Sequence, residues 1–62
     1  MSEYLIKSNK GNRGEVMNAI DQLGSVGESY PDGTFIFVPY DDECEDKLGE
    51  VLDELSVESN LL

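Results

Sequence analysis

Four stretches of the chain have the composition or the alternation of apolar and polar residues that is typical of β-strands. In the first stretch Tyr4 and Ile6 fall on one face of the predicted strand and Leu5 on the other. The third stretch, Thr-Phe-Ile-Phe-Val-Pro-Tyr, is the strongest candidate because it is rich in aromatic and β-branched residues. The predicted strands cover residues 3–8, 25–30, 34–40 and 57–62.

A first helix is predicted between the first two strands. Asn12 and Glu15 have the spacing of a capping box, in which side chains bind the free N–H groups of a helix start. The helix should end at Leu23, because Gly24 can adopt the left-handed conformation that stops a helix. Its inward positions are spaced by four and three residues, namely Val16, Ile20 and Leu23.

A second helix is predicted after the third strand, from a capping box of Asp42 and Glu45 to about Leu55. Its apolar positions recur with a helical period, which indicates an amphipathic helix. They are Cys44, Leu48, Val51, Leu52 and Leu55. Cys44 is therefore predicted to be a small buried hydrophobic residue without chemical function.

Together these elements run in the order β-α-β-β-α-β. Pro31-Asp32-Gly33 supplies the hairpin turn between the second and third strands, because proline presets φ and glycine accepts a positive φ. The order predicts a ferredoxin-like α+β fold, with two helices on one face of a four-stranded antiparallel sheet. With 62 residues, the chain should form a single domain over residues 1–62.

The charge of the chain restricts its partners. Fourteen acidic residues face four basic ones, which gives a net charge of −10. Nucleic acid and anionic membranes repel such a chain, so we expect neither direct nucleic-acid binding nor membrane binding, but a basic protein surface as partner. Solubility, or adaptation to high salt, would explain the same acidity without a partner.

The composition offers little for catalysis. The chain has no histidine and one cysteine, so neither an activated nucleophile nor a zinc site is expected. We therefore predict a non-enzymatic protein with no cofactor and no metal. A lone cysteine cannot form an internal disulfide, and no apolar run approaches the length of a membrane span, so a cytoplasmic location is expected.

The second helix carries most of the acidic residues. Residues 41–54 contain eight carboxylates over about 21 Å of helix, or one per ~2.6 Å. Duplex DNA carries one charge per ~1.7 Å, so this helix could act as a nucleic-acid mimic in a basic groove. The alternative is a solvated outer face of the helix. The predicted partner-binding residues point away from the apolar positions and are Asp42, Asp46, Glu50 and Asp53.

The third predicted strand resembles the aromatic strand signature of RNA-recognition motifs, through Phe35, Phe37, Val38 and Tyr40. That resemblance implies two rings on the open face of the sheet. RNA binding also needs a positive groove, which this acidic chain does not offer. The rings are therefore expected to contact protein, not RNA.

An association surface on the open sheet face is predicted from these rings and the first strand. Its residues are Tyr4, Ile6, Phe35 and Phe37. A patch of this kind favours a two-fold homodimer. In the reverse register the two phenylalanines belong to the core instead, and a shift of one residue decides between the two arrangements.

Three functions remain open on the sequence alone. The leading one is a binding or inhibitory protein that engages a basic surface through the acidic helix, of the type associated with phages and mobile elements. The second is a structural or regulatory module that homodimerises through its open sheet face. The third rests on a resemblance, over the whole order of elements, to stand-alone inhibitors related to subtilisin propeptides, which implies a protease as partner.

Overall fold

The computed structural model describes residues 2–62 and contains four strands and two helices. Their order is β-α-β-β-α-β, as the sequence predicts. The strands are β1 (Tyr4–Ile6), β2 (Gly24–Ser29), β3 (Phe35–Pro39) and β4 (Ser59–Leu61). The helices are α1 (Arg13–Ile20) and α2 (Asp42–Glu54).

The four strands form one antiparallel sheet in the order β2-β3-β1-β4. In β1, Tyr4 pairs with Phe37 of β3 on one side and with Leu61 of β4 on the other. The two central strands are therefore β3 and β1, and β2 and β4 are the edges. This is the predicted ferredoxin-like arrangement, which the structure confirms.

A single hydrophobic core lies between the sheet and the two helices. The sheet contributes Ile6, Phe35 and Phe37, each with no exposed surface. The helices and the segment after α2 contribute the remaining core residues: Val16, Ile20, Leu48, Leu52 and Val57. Both helices therefore cover the same face of the sheet, since their buried side chains share one cluster with these three sheet residues.

The register of the aromatic strand is the reverse of the prediction. Phe35, Phe37 and Ile6 were expected on the open face, together with Tyr4, but these three are core residues and Tyr4 packs against the core. Burying the two largest apolar side chains removes the most apolar surface from water, which favours this register. The predicted association surface of Tyr4, Ile6, Phe35 and Phe37 is therefore wrong.

The ends of α1 also differ from the prediction. Asn12 precedes the helix, but its side chain does not cap it and instead accepts a hydrogen bond from the backbone N–H of Asn9 at 2.8 Å. The regular helix ends at Ile20, and one 3₁₀ turn, Asp21–Leu23, leads into β2. Gly24 does not stop a helix, because its φ of 175° is extended backbone and the residue opens β2.

The start of α2 lies one residue earlier than predicted. Asp41, not Asp42, is the N-cap, and its carboxylate accepts the Cys44 backbone N–H at 2.8 Å. The predicted inward stripe is confirmed at Leu48 and Leu52, which are buried. Cys44 is only half-buried and lies outside the core cluster, so its predicted burial is wrong.

The turn between β2 and β3 anchors the loop that follows β1. Gly33 has a φ of 98°, which favours glycine, as the turn motif predicts. Its carbonyl accepts the buried Ser8 hydroxyl at 2.6 Å, and the Arg13 side chain donates to the Tyr30 carbonyl at 3.3 Å. These contacts hold the start of α1 next to the hairpin.

Candidate partner-binding surface

The four predicted partner-binding residues lie along the outside of α2. Asp42, Asp46, Glu50 and Asp53 are all exposed, opposite the buried Leu48 and Leu52 side of the helix. Their spacing of four, four and three residues gives a nearly straight row. With a rise of 1.5 Å per residue, the row is about 17 Å long. We call Asp42, Asp46, Glu50 and Asp53 the acidic crest.

Only part of the acidity of α2 is explained by helix stability. Acidic residues in the first turn, such as Asp42, complement the positive end of the helix dipole. The last turn contains no basic residue, although cations are favoured there, and instead carries Asp53 and Glu54. Lys47 is the one cation in the sequence of α2. The C-terminal end of the acidic crest, at Asp53, is therefore unfavourable for the isolated helix.

Two grooves run on either side of the acidic crest. The larger one, of about 500 Å³, lies between α2 and β4 and includes Gly49, Leu52, Asp53 and Val57 in its lining. The second, of about 410 Å³, lies between α1 and α2, where Lys47 and Val51 help to line it. A partner that approaches the acidic crest therefore also meets a groove on each side.

Glu45 has a different role from the acidic crest. Its carboxylate accepts a hydrogen bond from the Tyr4 hydroxyl, which ties α2 to β1. This bond, with a second from Ser2, lowers the pKa of Glu45, while the same bond and burial raise the pKa of Tyr4. Tyr4, which the sequence assigned to an association surface, thus stabilises the packing of α2 on the sheet.

The start of α2 does not favour thiol chemistry. A hydrogen bond with the Asp41 carboxylate, followed by burial, raises the pKa of Cys44. The N–H group of Cys44 conversely lowers the pKa of Asp41.

Among residues 2–62, no three His, Cys, Asp or Glu side chains are arranged to hold a metal ion. Within the same residues, no helix is long and apolar enough to span a membrane.

The open face of the sheet carries a second candidate surface that sequence reasoning assigned to the wrong residues. Leu5 and Ile36 pair directly across β1 and β3, and Val38 follows on the same face. All three are half-buried, on the side of the sheet away from the core. A signal for the correct face was present in the sequence. Glu3 and Lys7 are charged and lie two positions before and after Leu5, which indicates that the Leu5 face of the strand is the one exposed to solvent.

Fold and surface together define a small acidic α+β domain with one charged and one apolar candidate surface. No protein-family model matches this chain, and the comparisons with curated proteins and with solved structures found no match. Its function must therefore be inferred from its own residues. Four expectations from the sequence stay predictions: that the protein is not an enzyme, that it needs no cofactor, that it is cytoplasmic and that its partner is a protease.

Proposed function

We propose that this protein is a binding or inhibitory protein that engages a basic surface of another protein through the acidic crest. The main support is the position of Asp53, in the last turn of α2, where the helix dipole favours cations. Asp46 and Glu50 are also like charges four residues apart, which destabilises a helix by a few tenths of a kcal/mol. A row of charges that opposes helix stability is better explained by binding than by folding.

The partner surface that fits best is one that binds nucleic-acid phosphates. Residues 41–54 as a whole carry one carboxylate per ~2.6 Å of helix axis, of the same order as the ~1.7 Å per charge of duplex DNA, and the acidic crest supplies four of these eight carboxylates. A surface that is complementary to phosphates is basic and elongated, which suits a row about 17 Å long. The acidic crest would then act as a nucleic-acid mimic, with charge mainly accelerating association.

The test compares two variants of equal net charge. The first is Asp46→Lys, Glu50→Lys, Asp53→Lys on the acidic crest. The control is Glu15→Lys, Asp21→Lys, Glu28→Lys, at exposed positions outside α2. Each triple changes the net charge from −10 to −4. Binding of a labelled arginine-rich peptide is followed by fluorescence anisotropy at increasing salt.

The wild type and the control should bind the peptide, more weakly as salt rises, and the crest variant should lose binding. Equal binding by the two triple variants would show that only net charge matters, and would contradict the proposal. In a second arm, proteins captured from a cell extract are challenged with duplex DNA. If the acidic crest mimics nucleic acid, duplex DNA should release the captured proteins. Proteins that stay bound would reject the mimicry but not the binding of a basic surface.

Self-association through the open sheet face is a second candidate function. Glu3 and Lys7 flank β1 on either side and, by the alternation of the strand, project to the same side as Leu5, Ile36 and Val38. In a two-fold dimer centred on Leu5, Lys7 of one copy would lie opposite Glu3 of the other, around a shared apolar centre. The acidic crest lies on the opposite side of the molecule, which reduces repulsion between the copies.

Ile36→Lys tests this second function. The substitution places a charge at the apolar centre but leaves the core untouched, so the variant should stay folded. Sedimentation velocity over a range of concentrations should show a dimer for the wild type and a monomer for the variant. A wild type that stays monomeric at the highest concentration would rule out this function.

A further inference from the structure

The edge strand β4 has backbone groups directed away from the sheet. Lys7 donates its N–H to the Glu58 carbonyl at 2.8 Å, and Leu62 donates to the Glu3 carbonyl at 2.8 Å. Hydrogen-bonded pairs alternate with non-bonded pairs in an antiparallel ladder. Ser59 and Leu61 therefore form the non-bonded pairs with β1 and direct their N–H and C=O groups to the free edge.

The two edges of the sheet differ in how they are protected. Strand β2 is interrupted by a bulge between Val26 and Ser29, a feature that hinders pairing with a further strand. The sequence of β4, Ser-Asn-Leu, contains neither a charged residue nor a proline, and its register with β1 is regular. Leu61 also leaves 66% of its surface exposed at this edge. Of the two edges, β4 is the better template for an added strand.

The groove of about 500 Å³ lies directly beside this edge. Leu52 and Val57, which leave 3% and 9% of their surface exposed, line the groove on the side of the core, and Asp53 contributes a negative charge from α2. At Gly49 a side chain would meet nothing within 4 Å, so the groove is open there. This lining suits a long cationic side chain, whose methylene groups contact the groove while its charged end reaches the Asp53 carboxylate.

We propose that a basic partner is bound as an extended segment that adds to β4 as a fifth strand, with alternate lysine or arginine side chains in the groove between α2 and β4. Main-chain hydrogen bonds to Ser59 and Leu61 would give affinity, and the groove would select cationic residues at every second position. This mode rests on the proposed function, because Asp53 belongs to both the acidic crest and the groove.

The probes are two peptides of identical composition, one alternating lysine and valine and one with the lysines and valines in separate blocks. Only the alternating peptide presents all its lysines on one face of a strand. It should bind the wild type at least about tenfold more tightly, a difference that anisotropy resolves. Amide hydrogen exchange should slow at Ser59 and Leu61 when this peptide binds, which requires no variant.

Two proline variants separate the edges. At Leu61→Pro the lost N–H points to the free edge, so the ladder with β1 is kept while a donor to the added strand disappears. Val26→Pro is the matched control on β2, where Val26 also directs its N–H outward because Leu23 and Tyr40 form the bonded pair. Leu61→Pro should weaken binding at least about tenfold and Val26→Pro should not.

The outcomes distinguish this mode from the proposed function. Equal affinity for the two peptides, or slowed exchange at Val26 instead of at Ser59 and Leu61, would reject the added strand. If the crest variant still lost binding in that case, the proposed function would stand without it. If neither peptide bound the wild type, the result would contradict both the proposed function and the added strand.

Discussion

On one face of β3 the side chains of Phe35 and Phe37 are fully buried, whereas Ile36 and Val38, which alternate with them, lie half-buried on the other face. The two sets are similarly apolar, so residue type alone does not explain their different environments. The difference comes from the two helices, which cover the first face only. One strand thus supplies both the core and a candidate interface.

The comparison extends to β2. Gly24 lies on the helix-covered face opposite Pro39, where a Cβ would sit 2.7 Å from the Cα of Pro39 and 2.8 Å from the ring of Phe37. At Gly27 a Cβ would meet Ile36 at 3.5 Å, an ordinary contact on the open face. The helix-covered face of the sheet is thus closely packed at Gly24, whereas the open face has space for a side chain at Gly27. Substitutions on the two faces should therefore have unequal effects.

The largest difference is expected between Phe37→Ala and Ile36→Ala. Removing a buried ring costs about 3–5 kcal/mol, against a total stability of about 3–9 kcal/mol for a chain of this length. Ile36→Ala should cost about 1 kcal/mol, because the side chain is half-buried and leaves no enclosed cavity. Urea unfolding followed by circular dichroism measures both. Similar losses for the two variants would mean that the open face is covered in solution.

A smaller difference is expected between Gly24→Ala and Gly27→Ala. The added methyl group at Gly24 overlaps backbone and ring atoms, so it should destabilise the protein by about 1–3 kcal/mol. At Gly27 the methyl group meets no obstacle, and φ is not positive, so the free energy of unfolding should stay equal or rise slightly. Thermal unfolding of the pair tests the close approach of β2 to β3. A stable Gly24→Ala variant would contradict it.

The smallest effect concerns Tyr4→Phe, which removes the hydroxyl that joins the covered face to α2. The bond lowers the pKa of Glu45, so its contribution is present above the unfolded value of about 4.3 and is lost as pH falls through the lower folded pKa. The raised pKa of Tyr4 adds a contribution that is present below about pH 10 and is lost at higher pH.

The melting temperature of Tyr4→Phe should therefore lie a few degrees below that of the wild type at neutral pH, and the two should converge in strong acid and in strong base. Val38→Ala on the open face serves as the control, since its effect should not depend on pH. A constant difference between Tyr4→Phe and wild type across the whole pH range would show that packing, not the hydrogen bond, causes it.

Sequence reasoning recovered the order of the elements and the direction of the acidic crest. Both depend on local periodicity: one helical turn relates Asp46 to Glu50, and the apolar spacing of Leu48 and Leu52 fixes the inward side of α2. The turn at Gly33 is equally local, because its positive φ follows from the residue types around it. Such features need no knowledge of what packs against them.

The cap of α2 shows where local reasoning was incomplete. Asp41 and Asp42 are both suitable N-cap residues, and adjacent carboxylates give no sequence signal that separates them. The structure selects Asp41, whose extended backbone lies two residues after the last residue of β3, Pro39. The same limit applies to Asn12, whose side chain closes the preceding loop instead of capping α1.

The sequence by itself determined the composition, the period and the charge of each element, since these depend on neighbours along the chain. Only the tertiary structure decided which face of β3 is core, because Phe35-Ile36-Phe37-Val38 is apolar at every position and a shift of one residue exchanges the faces. The packing of α1 and α2 on one side removes that ambiguity. It also creates the groove between α2 and β4, whose lining residues are brought together only when the chain folds.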